Sequence, residues 1–451
     1  MTAPTSETAT APRTNSTRWD VVGATVGAVL IGIAFLVPRL MDEKWRKKMN
    51  AEAAPIFGKW NVHMGWGTVP AILVAIAVVL YGPALARRIR WRSLLVVTWL
   101  TGLAWSFALV MVDGWQRGFV HVFQDPNEYL HEVGGVTDIP ATLRGFSDRI
   151  LDFQPDSWTT HVSGHPPGAL LIFVWLDRIG LRGPTWAGIV CVLVGLTAAL
   201  AVLIAVRALA SEDLARSAAP FLAMAPAAIW IAVSADAIFA AITAWAVALL
   251  AIAATRTTRA PVVAALGAGV LFGFGIYVNY GLVLMGIPAV AVLVAARTVR
   301  PLFPALVGAL IVAAAFTASG FWWLDGYHLV VQRYYQGIAS ERPYNYWVWA
   351  NLAAATCATG LAVPAALHRP ISLGGLRTRN GLTYLVTAAG LAMIAADLSA
   401  LSKAETERIW LPFTIWLISA TALLPERHKR AWLAVQATGA LVLVHLILTN
   451  W

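Results

Sequence analysis

Acidic and histidine side chains concentrate in one polar stretch, residues 113–168, between two apolar runs of the chain. Asp125 and Glu128 stand near its start, in the sequence Asp-Pro-Asn-Glu-Tyr. A carboxylate held close to a hydroxyl group can remove its proton, so the pair is a candidate for general-base chemistry. The same spacing also fits a helix start, with Asp125 as N-cap and Pro126 at the first helical position. The two interpretations are compatible, because a capped helix would hold the carboxylate in place.

The polar stretch ends with His165 and Pro166, and a second proline and a glycine then lead into an apolar run. Because proline is favoured at the first position of a helix, we expect His165 and Pro166 to close the loop rather than to bind a metal. No HExxH, CxxC or clustered histidine spacing predicts a metal site, and no cofactor is indicated. A divalent cation stays open only if the fold brings Asp125, Glu128 and Asp236 together.

A second polar segment, residues 321–347, is rich in aromatic residues and carries Arg333 and Arg342. Aromatic rings can stack on a sugar, and arginine binds phosphate through paired hydrogen bonds. Aromatic residues also anchor proteins at a membrane interface, which is the alternative interpretation. The candidate sugar-stacking residues are Tyr334, Tyr335, Tyr344 and Trp347.

A third polar segment is short and charged, and it lies just before an apolar run that starts near residue 410. Lys403 and Arg408 are basic groups at the end of a predicted membrane helix, where they could bind the phosphate of a lipid. The alternative is a plain polar turn in which Lys403 pairs with Glu407 four residues later. If the three polar segments lie on the same side of a membrane, they could converge on one cavity.

The composition assigns the chain to the polytopic membrane proteins. Of its 451 residues, 59% are hydrophobic and 12% are charged, and the mean hydropathy is +0.69. Cys191 and Cys357 both lie in apolar runs, which indicates buried thiols rather than a disulfide framework. The formal net charge of +10 comes largely from arginines in short loops, which set topology and meet anionic lipid. Membrane lipid is therefore an expected partner, and nucleic acid is not.

The apolar runs predict an all-α bundle of about 13 transmembrane helices. A spanning helix needs roughly 20 apolar residues, and arginine-rich short loops mark the cytoplasmic side. The loop with Arg427 and Arg430 falls on that side if one run, 167–181, does not cross fully. The basic loop 39–67 is then an exception on the outer side. About fourteen runs qualify: 20–38, 68–85, 93–112, 167–181, 185–207, 217–233, 236–254, 262–278, 282–296, 302–320, 348–367, 381–398, 410–424 and 431–449.

This topology divides the chain into three parts and places the polar chemistry outside the cell. Residues 1–18 form an expected disordered cytoplasmic tail, and residues 19–92 an N-terminal transmembrane hairpin. Residues 93–451 form the main membrane domain, with exoplasmic loops 113–167 and 321–347. The expected location is the plasma membrane, with the active face on the periplasmic or exoplasmic side.

Two motifs resemble a known superfamily. The run 125–132 and, about 30 residues later, the run 160–168 are together similar to the first exoplasmic loop of GT-C glycosyltransferases, which use lipid-linked sugars. Asp236 resembles their second acidic position. The run 403–412 resembles the version in actinobacterial cell-envelope transferases with decaprenyl-phosphate donors. The length and composition are most similar to the methylthioxylosyl transferases that act on lipoarabinomannan. The resemblance covers about residues 110–410, so the N-terminal hairpin is an addition to the usual core of the superfamily.

The resemblance implies a GT-C-like fold and an inverting transfer of methylthioxylose, or another pentose or hexose, from a decaprenyl-phosphate donor. The acceptor would be a lipoglycan or polysaccharide such as lipoarabinomannan. Asp125 would be the general base. Glu128 or Asp236 would orient the acceptor or tune the pKa of Asp125. Lys403, Arg408 and Arg342 would hold the donor phosphate.

Two other functions stay open. A transporter or flippase for a lipid-linked sugar would place ionisable groups deep in the spans, or use interrupted helices in repeated halves. A catalytically inactive membrane subunit would tolerate the replacement of Asp125.

Overall fold

The described part of the chain is all-α apart from one small two-stranded sheet, which confirms the predicted class. A computed structural model describes residues 15–372 and 380–450. Helix α1 (Asn15–Leu40) includes residues 15–18, which the sequence placed in a disordered tail; residues 1–14 lie outside the described part. Arg377 and Arg379, two of the basic residues that mark a cytoplasmic loop, also lie outside it.

The helices follow one another through short connections. Several of them are only one or two turns long, and these carry much of the polar chemistry. After α1 the order is α2 (Glu43–Lys47), β1 (Gly58–Trp60), α3 (Thr68–Arg88), α4 (Trp91–Val110), α5 (Leu130–Val133), α6 (Ile139–Arg144), α7 (Thr160–Ser163), α8 (Pro167–Arg178), α9 (Gly183–Gly195), α10 (Thr197–Leu209), α11 (Glu212–Ala223), α12 (Ala228–Ile231), α13 (Asp236–Ala254), α14 (Pro261–Val278), α15 (Gly286–Ala295), α16 (Leu302–Ala318), α17 (Trp323–Gln336), α18 (Tyr344–Thr359), α19 (Ala362–Ile371), α20 (Gly381–Leu398), α21 (Thr406–Ile409), α22 (Leu411–Ile418), α23 (Lys429–Leu446) and β2 (Ile447–Thr449).

Seven helices of the described part are long and apolar enough to cross a membrane, with α9 and α10 counted as one span, Gly183–Leu209. The count rises to nine if the pairs α16–α17 and α18–α19, bent by 75° and 109°, each form one span. Most of the other predicted crossings fall on shorter helices, such as the apolar stretches Tyr280–Ala295 and Leu411–Leu423. The run 431–449 falls on α23, which has 18 residues but is not one of the seven. Helix α8 has 12 residues and is therefore about 18 Å long, shorter than a hydrocarbon core of about 30 Å.

Helix α13 lies at the centre of the bundle. Its apolar window is 78% buried, whereas the windows of α1 and α3 are 17% and 22% buried. It contacts α9, α10, α14 and α22, and its many alanines allow these helices to approach closely. Asp236 is its first residue, so this buried carboxylate sits at one end of the bundle.

The predicted exoplasmic segments pack against one another. Arg333, on α17, pairs with Asp152 and donates a hydrogen bond to the Ser163 hydroxyl. Gln336 accepts a hydrogen bond from the Asp152 backbone N–H at 2.8 Å. The segments 113–167 and 321–347 therefore form one polar layer over the end of the bundle.

The segment between α1 and α3 joins the same layer. Strand β1 pairs antiparallel with β2, with Gly58 opposite Thr449. The Met49 carbonyl accepts a hydrogen bond from Arg342, and the Phe57 backbone N–H donates one to the Glu407 carboxylate. The hairpin that the sequence treated as an extra element therefore contacts two of the residues discussed below.

Candidate functional site

Arg408 is the centre of a buried group of charged side chains. Its guanidinium donates to the Asp236 carboxylate at 2.6 Å and to the Glu405 carboxylate at 2.7 Å. It also lies 3.2 Å from Nε2 of His161. We call Glu128, His161, Asp236, Glu405 and Arg408 the Arg408 cluster. The polar segments 113–167 and 403–408 therefore meet in this cluster, and Arg342 joins segment 321–347 to it by donating a hydrogen bond to Glu405 at 3.2 Å.

Asp236 is held in place by its own helix start. The Ser234 hydroxyl donates to Asp236 Oδ2 at 2.8 Å, and the Asp236 backbone N–H donates to the same hydroxyl at 3.1 Å. A negative charge in the first turn of a helix also interacts favourably with the helix dipole. The carboxylate is therefore oriented locally toward the position where Arg408 binds it.

His161 connects the first acidic motif to Arg408. Its Nδ1 lies 2.9 Å from the Asn127 carbonyl and its backbone N–H donates to the same oxygen at 3.0 Å. Because a guanidinium only donates hydrogen bonds, Nε2 is the acceptor, and Nδ1 therefore carries the proton of a neutral ring. The sequence showed His161 as one of several loop histidines but assigned it no role.

Glu128 lies beside His161, with 3.4 Å between Oε1 and Nδ1. The side chain is buried, and this burial raises the pKa of the carboxyl, although the positive charge of Arg408 acts in the opposite direction. Glu128 is thus a carboxyl group that holds its proton to a higher pH than an exposed glutamate does.

Asp125 stands next to the cluster but binds within its own turn. Its Oδ1 accepts hydrogen bonds from the backbone and side-chain nitrogens of Asn127, at 2.8 and 2.9 Å. This is an Asx turn, and α5 begins only at Leu130. The predicted N-cap role of Asp125 is therefore wrong, because the backbone after it turns before any helix starts. The carboxylate is half-buried, and Oδ2 takes no hydrogen bond from the residues that the structure describes.

Glu405 bridges two arginines. Its Oε1 lies 3.2 Å from Arg342 and its Oε2 lies 2.7 Å from Arg408. Burial alone would raise the pKa of this carboxyl, but Arg408 and Arg342 outweigh it and hold the pKa at about 2. Sequence reasoning gave Glu405 no role, although its position three residues before Arg408 is a signal for a pair on one helical turn.

Lys403 and Glu407 point to different partners. The Lys403 amine donates to the Ala339 carbonyl at 2.9 Å, and the Glu407 carboxylate accepts from the Phe57 backbone N–H at 2.9 Å. The alternative of a helical Lys403–Glu407 pair is therefore wrong, because α21 begins only after Glu405. Glu407 is fully buried, and burial raises its pKa to about 7.

Arg342 is buried and is held mainly by backbone oxygens. It donates to the Lys403 carbonyl at 2.8 Å and to the Met49 carbonyl at 3.3 Å, in addition to its bond with Glu405. The structure thus brings Arg342 and Arg408 to one carboxylate, while the Lys403 side chain lies to one side.

The four aromatic candidates do not share one exposed face. Tyr334 accepts a hydrogen bond from the Lys403 backbone N–H at 3.0 Å, and Tyr344 donates to the Asp397 carbonyl at 3.3 Å. Trp347 is fully buried, whereas Tyr335 is 45% exposed. Their role in sugar stacking stays a prediction, and Tyr335 is the ring best placed for it.

His165 and Pro166 lie at the join between the loop and α8. His165 Nδ1 donates to the His161 carbonyl at 2.8 Å, and its ring packs on Tyr129 and Phe239. Burial lowers the pKa of His165 to about 4, so the ring is neutral at physiological pH. Pro166 is the N-cap of α8. His165 therefore holds the backbone of His161, and Pro166 begins the next helix.

No group of three or more metal-ligating side chains is arranged around a common point within residues 15–372 and 380–450. Glu128 and Asp236 lie near the Arg408 cation, and Asp125 binds Asn127. Glu128 and Asp236 therefore share Arg408 as a neighbour, whereas the Asp125 carboxylate is bound by Asn127.

A pocket of about 230 Å³ lies between α5, α8 and α9. It is lined mainly by apolar side chains, including Leu130, Phe173 and Leu176, and none of its lining residues belongs to the Arg408 cluster. Phe173 stacks on Tyr129, the neighbour of Glu128, with 5.2 Å between ring centroids. The pocket is therefore adjacent to the acidic motif but is not the charged site itself.

No protein-family model matches the chain, and no curated protein matches it. Among solved structures, the chain is similar to ArnT from Cupriavidus metallidurans in the apo state, at 17% identity and a TM-score of 0.45, over 71% of this chain and 58% of that one. It is also similar to the Archaeoglobus fulgidus oligosaccharyltransferase in complex with Zn and sulfate, at 13% identity and a TM-score of 0.44, over 78% and 53%. The chain spans less than two thirds of either protein, and neither similarity assigns it a function.

Proposed function

We propose that this chain is a membrane glycosyltransferase that moves a sugar from a polyprenyl-phosphate donor to a glycan hydroxyl. The observation that carries the proposal is the Arg408 cluster, a set of buried charges at the end of membrane-length helices. Burying a charge costs free energy unless it is paired, and replacing such a group by apolar residues is often neutral or stabilising. A buried charged cluster in a membrane protein is therefore a candidate functional site.

The donor side of the site is formed by Arg342 and Arg408. Both guanidinium groups bind the same carboxylate, so they are close enough to bind one small anion together. Guanidinium groups suit phosphate because their donors match two oxygens at once. They would stabilise the charge that grows on the phosphate as the sugar leaves. The lipid chain of the donor would lie between apolar helices, because moving it into water exposes apolar surface.

The acceptor side is formed by the acidic motif. Asp125 is the proposed base, since the Asn127 bonds fix its Oδ1 and leave Oδ2 to accept the proton of the acceptor hydroxyl. Glu128 and Asp236 would orient the acceptor and Arg408. As Asp125 removes this proton, the acceptor oxygen would attack the anomeric carbon and the lipid phosphate would leave. This single displacement would invert the configuration of the anomeric carbon.

The more specific proposal follows the sequence resemblance. It names decaprenyl phosphate as the donor carrier, methylthioxylose or another pentose or hexose as the sugar, and a lipoglycan such as lipoarabinomannan as the acceptor. Catalysis would take place on the exoplasmic side of the plasma membrane.

A second candidate function is a transporter or flippase for a lipid-linked sugar. The two helix pairs bent by 75° and 109° favour it, since interrupted helices form binding sites in many transporters. The two candidates differ in product, because a transferase changes a glycan and a transporter changes the leaflet of a lipid intermediate.

The test is a profile of cell-envelope glycans, by mass spectrometry and NMR, in a deletion strain complemented with wild type or with Asp125→Asn. We expect wild type to restore one sugar substituent. Asparagine can accept the same Asn127 bonds but is no base, so Asp125→Asn should restore less than about 1% of it, within the usual effect of a general base.

Asp148→Asn is the matched control, because Asp148 is an exposed aspartate of the same loop. It should restore the glycan as wild type does. Full restoration by Asp125→Asn would contradict the base assignment. An unchanged glycan in the deletion strain, with lipid-linked sugar accumulating on the cytoplasmic leaflet, would support the transporter instead.

A further inference from the structure

Glu405 occupies an unusual position between the two arginines of the donor side. Each of its carboxylate oxygens is bound by a different guanidinium, at 3.2 Å from Arg342 and 2.7 Å from Arg408. Two oxygens of a phosphate group would be bound in the same manner. The carboxylate therefore has the shape and the charge of the group that the site is proposed to bind.

The backbone at this point is strained. Ala404 and Glu405 both have positive φ angles, 72° and 62°, although neither is glycine. Such conformations cost free energy in residues with a Cβ, and they persist where the surrounding contacts hold them. At Glu405 those contacts include the two arginine bonds. Backbone hydrogen bonds hold the turn as well, from the Ala404 N–H to Asn351 and from the Arg408 N–H to the Glu405 carbonyl, so the strained turn directs the Glu405 side chain toward the two arginines.

Glu405 also lies on the accessible side of the arginines. Its side chain is 15% exposed, compared with 4% for Arg342 and 7% for Arg408. Its carboxylate is therefore the most accessible of these three charged groups to a ligand from outside the cluster.

We propose that the Glu405 carboxylate stands in the place of the donor phosphate and is displaced when the donor binds. This inference rests on the proposed function. One carboxylate carries one negative charge, and a polyprenyl-phosphate sugar is a phosphodiester that also carries one. The exchange keeps the charge of the buried site constant, so the site selects a single phosphodiester over a diphosphate. Glu405 is in this account a specificity-determining residue.

The test measures the affinity of purified full-length wild type and Glu405→Gln for farnesyl methyl phosphate, a prenyl phosphodiester with one negative charge. Calorimetry in detergent gives the two affinities. Glu405→Gln removes the competing charge and nearly preserves the shape. It should bind the probe at least tenfold more tightly than wild type does. Glu341→Gln is the control, because Glu341 is an exposed glutamate of the neighbouring segment, and it should bind as wild type does.

Farnesyl diphosphate is the second probe. We expect wild type to bind it more weakly than the phosphodiester, because its additional charge has no counterpart in the exchange. Equal or tighter binding of the diphosphate to wild type would overturn the proposed selectivity.

The outcomes separate this inference from the proposed function. Binding of the phosphodiester to wild type, with equal or weaker binding to Glu405→Gln, would overturn the displacement and leave the phosphate site intact. Binding to none of the proteins would overturn both. If Glu405→Gln does not fold, Glu405→Asp decides: its shorter side chain cannot reach both arginines, so binding tighter than wild type supports displacement, and equal or weaker binding overturns it.

Discussion

Two charged clusters of this protein use the same residue types in opposite surroundings. In the Arg408 cluster, the side chains of Arg408 and Asp236 are 7% and 3% exposed. In the second, which we call the Glu426 cluster, Glu426 binds Arg87 at 2.6 Å and contacts Lys429 and Ser217. There Arg87 and Glu426 are both 55% exposed. Arginine and carboxylate are thus deeply buried in one cluster and open to water in the other.

The difference in exposure changes how much each cluster contributes to the stability of the fold. An exposed ion pair contributes about 0.2–1 kcal/mol to stability and is weakened by salt. The exposed pair Arg87–Glu426 joins α3 to the start of α23 at the predicted cytoplasmic face. A buried pair gives little net stability, but removal of one partner leaves an uncompensated charge and costs about 3–5 kcal/mol. Stability alone therefore explains the Glu426 cluster and does not explain why the Arg408 cluster is present.

The largest effect is expected for Arg408→Gln. The change leaves the carboxylates of Asp236 and Glu405 buried without their cation, so the free energy of unfolding should fall by about 3–5 kcal/mol. Thermal unfolding of the purified protein in detergent measures it. Arg87→Gln is the matched control and should cost no more than about 1 kcal/mol. Equal losses in the two variants would show that the clusters do not differ as described.

An intermediate effect is expected for Glu407→Gln, and it depends on pH. Burial raises the pKa of Glu407 from an ordinary value of 4.5 to about 7. Between these two values the folded protein keeps a proton that the unfolded chain releases, so wild type loses stability as the pH rises, by up to about 1.4 kcal/mol per unit. The contribution is fully present below pH 4.5 and absent above pH 7.

Unfolding temperatures of wild type and Glu407→Gln between pH 4.5 and 8 test this prediction. Glutamine cannot titrate, so the variant should become more stable relative to wild type as the pH rises. A constant difference between the two proteins across this range would mean that Glu407 is ionised in the fold throughout.

The smallest effect is expected for Glu426→Gln, with the opposite dependence on pH. Burial would raise the pKa of Glu426, but Lys429 and Arg87 outweigh it and lower the pKa. The ionised group therefore adds stability above its ordinary pKa and loses it as the pH falls. Lys429 is only 5% exposed, but it also donates to the Ser217 hydroxyl, and water can reach the position of the 55% exposed Glu426 side chain. At neutral pH the variant should therefore lose less than about 1 kcal/mol, and high salt should reduce the difference. A loss as large as that of Arg408→Gln would contradict the comparison.

The sequence predicted the class of fold because hydropathy follows directly from composition. It was less accurate about the number of crossings, since apolar runs such as 217–233 and 282–296 form short helices rather than membrane-length ones. An apolar residue inside a large bundle and one facing lipid look alike in a sequence. Only packing, as seen in the 78% buried window of α13, distinguishes them.

For the site, the sequence identified residue types but not their partners. Glu128, Asp236 and Arg408 were singled out, and the structure brings these three together. Arg408 and Asp236 are 172 positions apart, so no local pattern could show that they bind each other. The role of Glu405 depends on a backbone with positive φ, which is not expected for a glutamate. His161 was visible only as one member of a loop rich in histidines.

The bond between Phe57 and Glu407 has a consequence for biosynthesis. It joins residues 350 positions apart, and chains are synthesised from the N-terminus at roughly 5–20 residues per second. The early hairpin must therefore wait in the membrane for tens of seconds before its partner leaves the ribosome. A nascent chain that stops before residue 407 contains the buried Asp236 without Arg408. Completion of the site thus requires translation through residue 408, and a chain truncated before that residue should be recognised as unassembled by membrane quality control.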